Sequence, residues 1–241
     1  DKLIQNSSFN FETIVETDTI SGPSWATIFS GKLQKETNIY FNEDVEDNKF
    51  IWKTNDIFSD INKLNIDTNA FGNNWIGMKN MIQNSKNIKY VSNEDCFKSD
   101  KEIVEYTNNH ILSVNNDNFT FMYLNGIDDY GHKYGFSIQS EEYINYIEKI
   151  DAIIEDLLNN SVKNNWSIMI VTDHGGCVKS DLEDKLTTIF DSIENISGQN
   201  KKKCKGIHGL DIPQHKRTFK IYHGEIIKNQ NKEIVKTLKS S

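Results

Sequence analysis

Four short stretches of this 241-residue chain hold residue types that bind metal or phosphate. Asp173-His174-Gly175-Gly176 directly follows the apolar run Trp166–Thr172. Asp128, Gly131 and His132 come just after a second run, Phe119–Leu124, and His208-Gly209 lies ahead of a third, Thr218–Tyr222. The fourth stretch is Ser21-Gly22-Pro23-Ser24. Carboxylate oxygen and neutral imidazole nitrogen suit zinc or a similar divalent ion, and glycines let backbone come close. A lone Asp–His pair in a loop is most often a solvated turn. His132 and His174 stand apart because both follow strands, where α/β sheets gather their chemistry. His208 joins them because a two-metal site needs a further ligand. His110 in a helical pattern, and His215 and His223 in lysine-flanked or strand-edge contexts, read as structural histidines.

Ser21 stands three residues ahead of Ser24, where a helix following Pro23 should begin. Amides at a helix N-terminus stabilise negative charge, so a serine oxygen there can attack phosphorus if a metal also holds it. Taken alone, Ser-Gly-Pro-Ser is simply a capped turn.

The elements that must position these groups follow from apolar periodicity. The best-defined strands are Phe119–Leu124, Trp166–Thr172 and Thr218–Tyr222, with weaker ones at Asn10–Val15, Asp67–Phe71 and Lys89–Val91. Helical spacing runs through Ser24–Phe29, Ile57–Leu64, Asp100–Leu112 and, most strongly, Ser140–Leu158. Strand, helix and strand, with near-continuous apolar runs, describe an α/β fold whose parallel sheet is buried on both faces.

Composition narrows the field. Lys and Arg number 27 against 35 Asp and Glu, a net charge of −8, which disfavours non-specific nucleic-acid binding. Aromatic residues at 11% argue against disorder, and no run reaches the roughly 18 apolar residues of a membrane span. The chain holds 30 Asn and a single Arg, Arg217, a skew that weakens Asn118-Phe119-Thr120 as a glycosylation signal. Cys96, Cys177 and Cys204 are odd in number and lack a CxxC spacing, so no disulfide framework is expected. Oligomeric state and compartment leave no signature.

Together the motifs resemble the alkaline phosphatase superfamily, most closely its nucleotide pyrophosphatase/phosphodiesterase-like branch. Four blocks carry the likeness in order: Ser21, Pro23 and Gly31; Asp128, Gly131, His132 and Gly135; Thr172, Asp173, His174 and Gly175; and His208 with Gly209. The resemblance implies a single alkaline-phosphatase-like catalytic domain over residues 1–241, a three-layer sandwich with a mainly parallel central sheet. It implies two divalent ions, zinc, with Asp173, His174 and Ser21 at one and Asp128, His132 and His208 at the other. It also implies that Ser21 is the nucleophile in hydrolysis of a small-molecule phosphate ester, a diester or pyrophosphate in preference to a monoester.

Three departures accompany it. Ser21 stands where the branch often has Thr, and Ser24 where many phosphodiesterases have a phosphate-binding Asn. The family also begins with a strand ending in an Asp ligand, and no such strand precedes Ser21, so the expectation is a chain truncated at its N-terminus. That departure sustains a second reading, a non-catalytic metal- or ligand-binding protein on the same fold. A sulfatase would need an Arg in the Ser21–Trp25 stretch, and a mutase would need a large insertion between Gly31 and Asp128; both are disfavoured. Tyr40, Phe41, Phe50, Trp52, Phe71 and Trp75 read as core and cap residues or as stacking partners for a leaving group. Lys201–Lys205 reads as a solvated face or as a steering patch for an anion.

Overall fold

The computed structural model describes residues 3–181 and 205–224, without the side chains of Asn6 and Asp181. Its strands are β1 (Ser8–Ile14), β2 (Asp67–Asn73), β3 (Asn87–Val91), β4 (Asn118–Met122), β5 (Ile168–Val171), β6 (Cys177–Val178), β7 (Gly206–Ile207) and β8 (Arg217–His223). The helices are α1 (Ser21–Ser30), α2 (Gln34–Thr37), α3 (Glu43–Glu46), α4 (Ile57–Lys63), α5 (Ile76–Met81), α6 (Cys96–Ser113), α7 (Gly126–Tyr134), α8 (Glu141–Lys163) and α9 (Pro213–Lys216). The weaker strand expectations correspond to β1, β2 and β3. The Asp100–Leu112 pattern is the middle of α6, whose true start is set by Asp95, which accepts hydrogen bonds from the Phe97 and Lys98 amides.

Helices and sheets alternate as expected for α/β, and β2 pairs parallel with both β3 and β4. β2 is the central strand and is buried almost throughout, as a strand covered on both faces must be. The other large sheet runs β1-β8-β5 and is antiparallel, with Ile170 opposite Ile221. Phe119–Leu124 and Trp166–Thr172, read above as partners in one sheet, thus belong to two ladders among the described residues. Each lies at the edge of its own. Side chains join them instead.

One apolar cluster brings Trp25, Phe29, Phe58, Met78 and Tyr123 together, with Phe119 and Phe121 of β4 and Val171 of β5 packed on it. A second brings Val104 and Ile111 of α6 to Leu157 of α8, with Met122, Leu124 and Trp166 against them. Alternate residues of a strand face opposite ways. Hence β4 and β5 present the same two faces to the same two layers. The aromatic set placed between core and pocket above divides: Phe71 is buried, Phe50, Trp52 and Trp75 pack against the first cluster, while Tyr40 and Phe41 are exposed.

Turns in this chain are made largely by asparagine. Asn38, Asn65, Asn74 and Asn165 all have φ between 55° and 58°, the left-handed region that Asn enters more readily than other side chains.

Candidate active site

The four blocks meet at one end of the strands. α7 follows β4 and carries Asp128 and His132 four residues apart, so both lie on one helical face. His208 follows β7 and closes the group: Asp128, His132 and His208 each offer a ligand atom, all within 4.8 Å of one another. The Asp173-His174 pair follows β5, and Ser21 opens α1. Ser21 is the first residue of the helix, not a residue ahead of it, because Ile20 is its N-cap. Ser21 Oγ lies 3.1 Å from His174 Nε2, and Asp173 Oδ2 lies 3.3 Å from the same nitrogen. The His174 and His208 rings lie against each other, centroids 3.9 Å apart, and join the two groups.

Backbone carbonyls fix which imidazole nitrogen is free. His132 Nδ1 is 3.0 Å from the Gly206 carbonyl, His208 Nδ1 is 2.9 Å from that of Thr19, and His174 Nδ1 is 3.1 Å from that of Gly175. A carbonyl only accepts, so each Nδ1 carries the hydrogen and each Nε2 presents a lone pair. The Nε2 atoms of His132 and His208 then face each other 3.0 Å apart with no hydrogen between them. Asp128 stands 3.4 Å from the first and 3.8 Å from the second. Lone pair against lone pair beside a carboxylate is a repulsive arrangement unless a cation sits among them. Nitrogen and carboxylate donors with each imidazole steered by a carbonyl are what zinc takes.

The electrostatics agree. Burial works to raise the Asp128 pKa, but the His132 hydrogen bond and the charges of His208, His132 and His174 outweigh it and hold the carboxyl well below its usual range. His208 is driven well below the ordinary histidine value by burial and by His174, so it stays neutral. Burial raises Asp173, His174 opposes that, and Asp128 adds to it. Tyr123, at the end of β4, is also pushed up, first by burial and then by Asp173 and Asp128.

Residues 3–189 match the family model of type I phosphodiesterase / nucleotide pyrophosphatase. The chain belongs to this family. It is a phosphoester hydrolase of a metal-dependent family, with an alkaline-phosphatase-like α/β fold. No curated protein sequence matches it. Among solved structures it is similar to murine ectonucleotide pyrophosphatase / phosphodiesterase 5, with TM-score 0.66 and 16% identity over 93% of this chain and 82% of that one. An inactive variant of the murine protein in complex with AMP gives TM-score 0.66 and 15% identity, covering 92% and 81%. Phosphonoacetate hydrolase from Sinorhizobium meliloti gives TM-score 0.53 and 10% identity, covering 80% and 54%. At these identities the structures speak for the fold.

In this type I phosphodiesterase the expectation about Ser24 is revised. Ser24 is buried, with Oγ donating to the Asp18 carbonyl and 3.3 Å from Thr17 Oγ1. It holds the turn and faces no open site. A residue missed in the sequence lies beside the serine instead. Asn42 Oδ1 accepts the Gly22 N–H at 2.8 Å, which orients the amide and leaves its Nδ2 hydrogens without a partner among the described residues. The signal was local and weak, an Asn in an Asn-rich chain. The site also depends on the bareness of Gly22, where a Cβ would lie 2.7 Å from the Phe41 carbonyl oxygen.

The remaining histidines sit elsewhere. His215 is fully buried, accepts the Leu210 N–H at Nδ1 and meets Cys177 Sγ at 3.2 Å. Burial and the charge of His174 push its pKa down to about 4. His110 packs edge-on against Phe71, and His223 Nδ1 lies 3.2 Å from Ser7 Oγ. Cys96 and Cys177 are free thiols. Burial and Asp129 push Cys96 up to about 12. Cys204 and the Lys201–Lys203 part of the lysine run lie outside the described residues. Among the described residues no helix is long and apolar enough to cross a membrane.

Proposed function

We propose that the chain hydrolyses phosphodiesters or pyrophosphates through a Ser21 nucleophile, with two divalent ions, zinc, held by the two ligand groups. Asp128, His132 and His208 would hold one; Asp173, His174 and Ser21 would hold the other. When bound, such a pair supplies Lewis-acid stabilisation to the attacking and leaving oxygens. Ser21 Oγ forms a bond to phosphorus as the bond to the leaving ester oxygen breaks, and water later releases the phosphoryl group from Ser21. His174 orients the hydroxyl. Asn42 Nδ2 and the Ser21 N–H are the donors within reach of a non-bridging phosphate oxygen. The Gly22 N–H is taken by Asn42, and Pro23 has none.

The observation that carries the reading is the Ser21 Oγ position, 3.1 Å from His174 Nε2 at the first turn of α1. A nucleoside on the phosphate is supported by Tyr40 and Phe41, exposed aromatics whose loop packs on the Gly22 backbone, and by the murine relative in complex with AMP. The test is turnover of an aryl phosphodiester with zinc supplied. Ser21→Ala should keep the fold and metal binding and lose turnover, while Ser24→Ala should keep most of it. Full activity in Ser21→Ala would refute the serine as nucleophile. A wild type that takes up zinc and cleaves no phosphate ester would favour a binding protein on the same fold.

A further inference from the structure

We propose that Thr19 is a positioning residue that locks His208 to the turn presenting Ser21, so that one half of the metal site is set by the nucleophile's own loop. The proposal rests on the metal reading above. Thr19 is 1% exposed. Its carbonyl accepts the His208 Nδ1–H at 2.9 Å. Its hydroxyl donates to the Leu210 carbonyl at 3.1 Å and accepts the Gly209 N–H at 3.1 Å. Three hydrogen bonds from one residue therefore grip three consecutive residues, 208 to 210.

The turn itself is anchored. The Ile20 N–H returns to the Asp18 carbonyl at 2.8 Å, and Ser24 Oγ bonds that same carbonyl from within α1. Gly209 has φ +94°, a conformation other side chains rarely adopt, and it is this bend that brings the Gly209 N–H to Thr19. No comparable tie reaches His174, whose ring is steered by its neighbour Gly175. The two metal groups are thus supported separately, and Thr19 supports only the one with His208. Groups that orient a metal-binding imidazole typically change metal affinity by roughly 10–100-fold when removed.

Thr19→Val keeps the shape and removes both hydroxyl bonds. Zinc binding, measured by competition with a chelating dye, should show one of two sites weakened by roughly 10–100-fold and the other unchanged. Thr19→Ser keeps the hydroxyl and should restore the weakened site. Cobalt absorption spectra should show the altered site in Thr19→Val and the native spectrum in Thr19→Ser. If Thr19→Val does not fold, Thr19→Ala, which leaves space for a water to bridge Gly209 and Leu210, is measured in its place against the same expectation. Two unchanged sites in the folded variant would overturn the proposal, as would equal weakening of both or no recovery with Ser. A wild type that binds no zinc would instead overturn the metal reading, which makes the two failures distinguishable.

Discussion

Asp100 lies on α6, fully buried, and no ion pair reaches it among the described residues. Its Oδ1 accepts Asn73 Nδ2 at 2.5 Å, its Oδ2 accepts the Tyr146 hydroxyl at 2.8 Å, and the Gly126 N–H adds a third bond. Gly126 opens α7, so this carboxylate fastens the helix that bears Asp128 and His132. Burial raises the Asp100 pKa and the three donors oppose it, leaving it above the model value of 3.8. Tyr146→Phe removes one donor while the ring keeps its stack on Tyr130, centroids 3.9 Å apart. A hydrogen bond to a charged buried group contributes about 2 kcal/mol. For a chain of this size that lowers Tm by roughly 4–8 °C.

The sign of the pH dependence follows from linkage. With the folded pKa raised, the native state binds more protons than the unfolded one above 3.8, and stability falls as pH rises through that window. Losing the tyrosine raises the folded pKa further, because the donor favours the charged form. The penalty of Tyr146→Phe should therefore be small near pH 4.5, on the order of half its neutral value or less, and full near pH 7. Asp100→Asn should abolish this dependence. Its amide nitrogen can serve Tyr146, whose hydroxyl turns to accept, and cannot serve Asn73, whose Nδ2 is itself a donor. Thermal melts of the metal-free wild type and both variants at the two pH values decide it. A penalty equal at both, or larger in acid, would show that the hydroxyl does not support a charged carboxylate.

Other expectations are briefer. Gly126→Ala pushes a methyl group into the Tyr146 hydroxyl and Asp100 Oδ2, so it should destabilise more than Tyr146→Phe, and the double variant should melt higher than Gly126→Ala alone. His132→Ala and His208→Ala should each lower the zinc-to-protein ratio by emission spectrometry, while His110→Ala should not; equal ratios in all three would refute the ligand set. Asn42→Asp places a charge where a phosphate oxygen is expected and should raise KM for an aryl phosphodiester more than Asn42→Ala does. An unchanged KM in both would remove Asn42 from the site.

The strands were legible where apolar runs are long, as in Phe119–Leu124, and the α8 stripe showed plainly because Tyr146, Ile150 and Leu157 recur on one face. The convergence of Asp128, His132 and His208 was legible from the places of their motifs after or before strands. Ladder membership was not. Periodicity shows that a strand is buried on both faces but says nothing of which strand it bonds to, so the antiparallel pairing of β5 with β8 was invisible. Asn42 was equally hidden, because its role arises from a contact 20 residues away in sequence with a backbone N–H. The helix start at Ser21 was misplaced for a related reason: Pro23 suits the first turn, yet Ile20 caps the helix without any side-chain hydrogen bond to mark it.

The separate ladders of β4 and β5 bear on how the molecule breathes. Asp128 and His132 are hung from the end of one ladder, Asp173 and His174 from the end of the other, and between the two edge strands the described contacts are side-chain packing. Amide exchange proceeds through local openings in contiguous cooperative units. Among the described residues, the two sheets are natural candidates for separate units, with β2 amides the slowest to exchange and the facing edges of β4 and β5 faster. An opening along that seam would part the Ser21–His174 group from the Asp128–His132 group with every ladder intact. Isotope exchange at the seam would then track loss of catalytic competence more closely than the global melting temperature does.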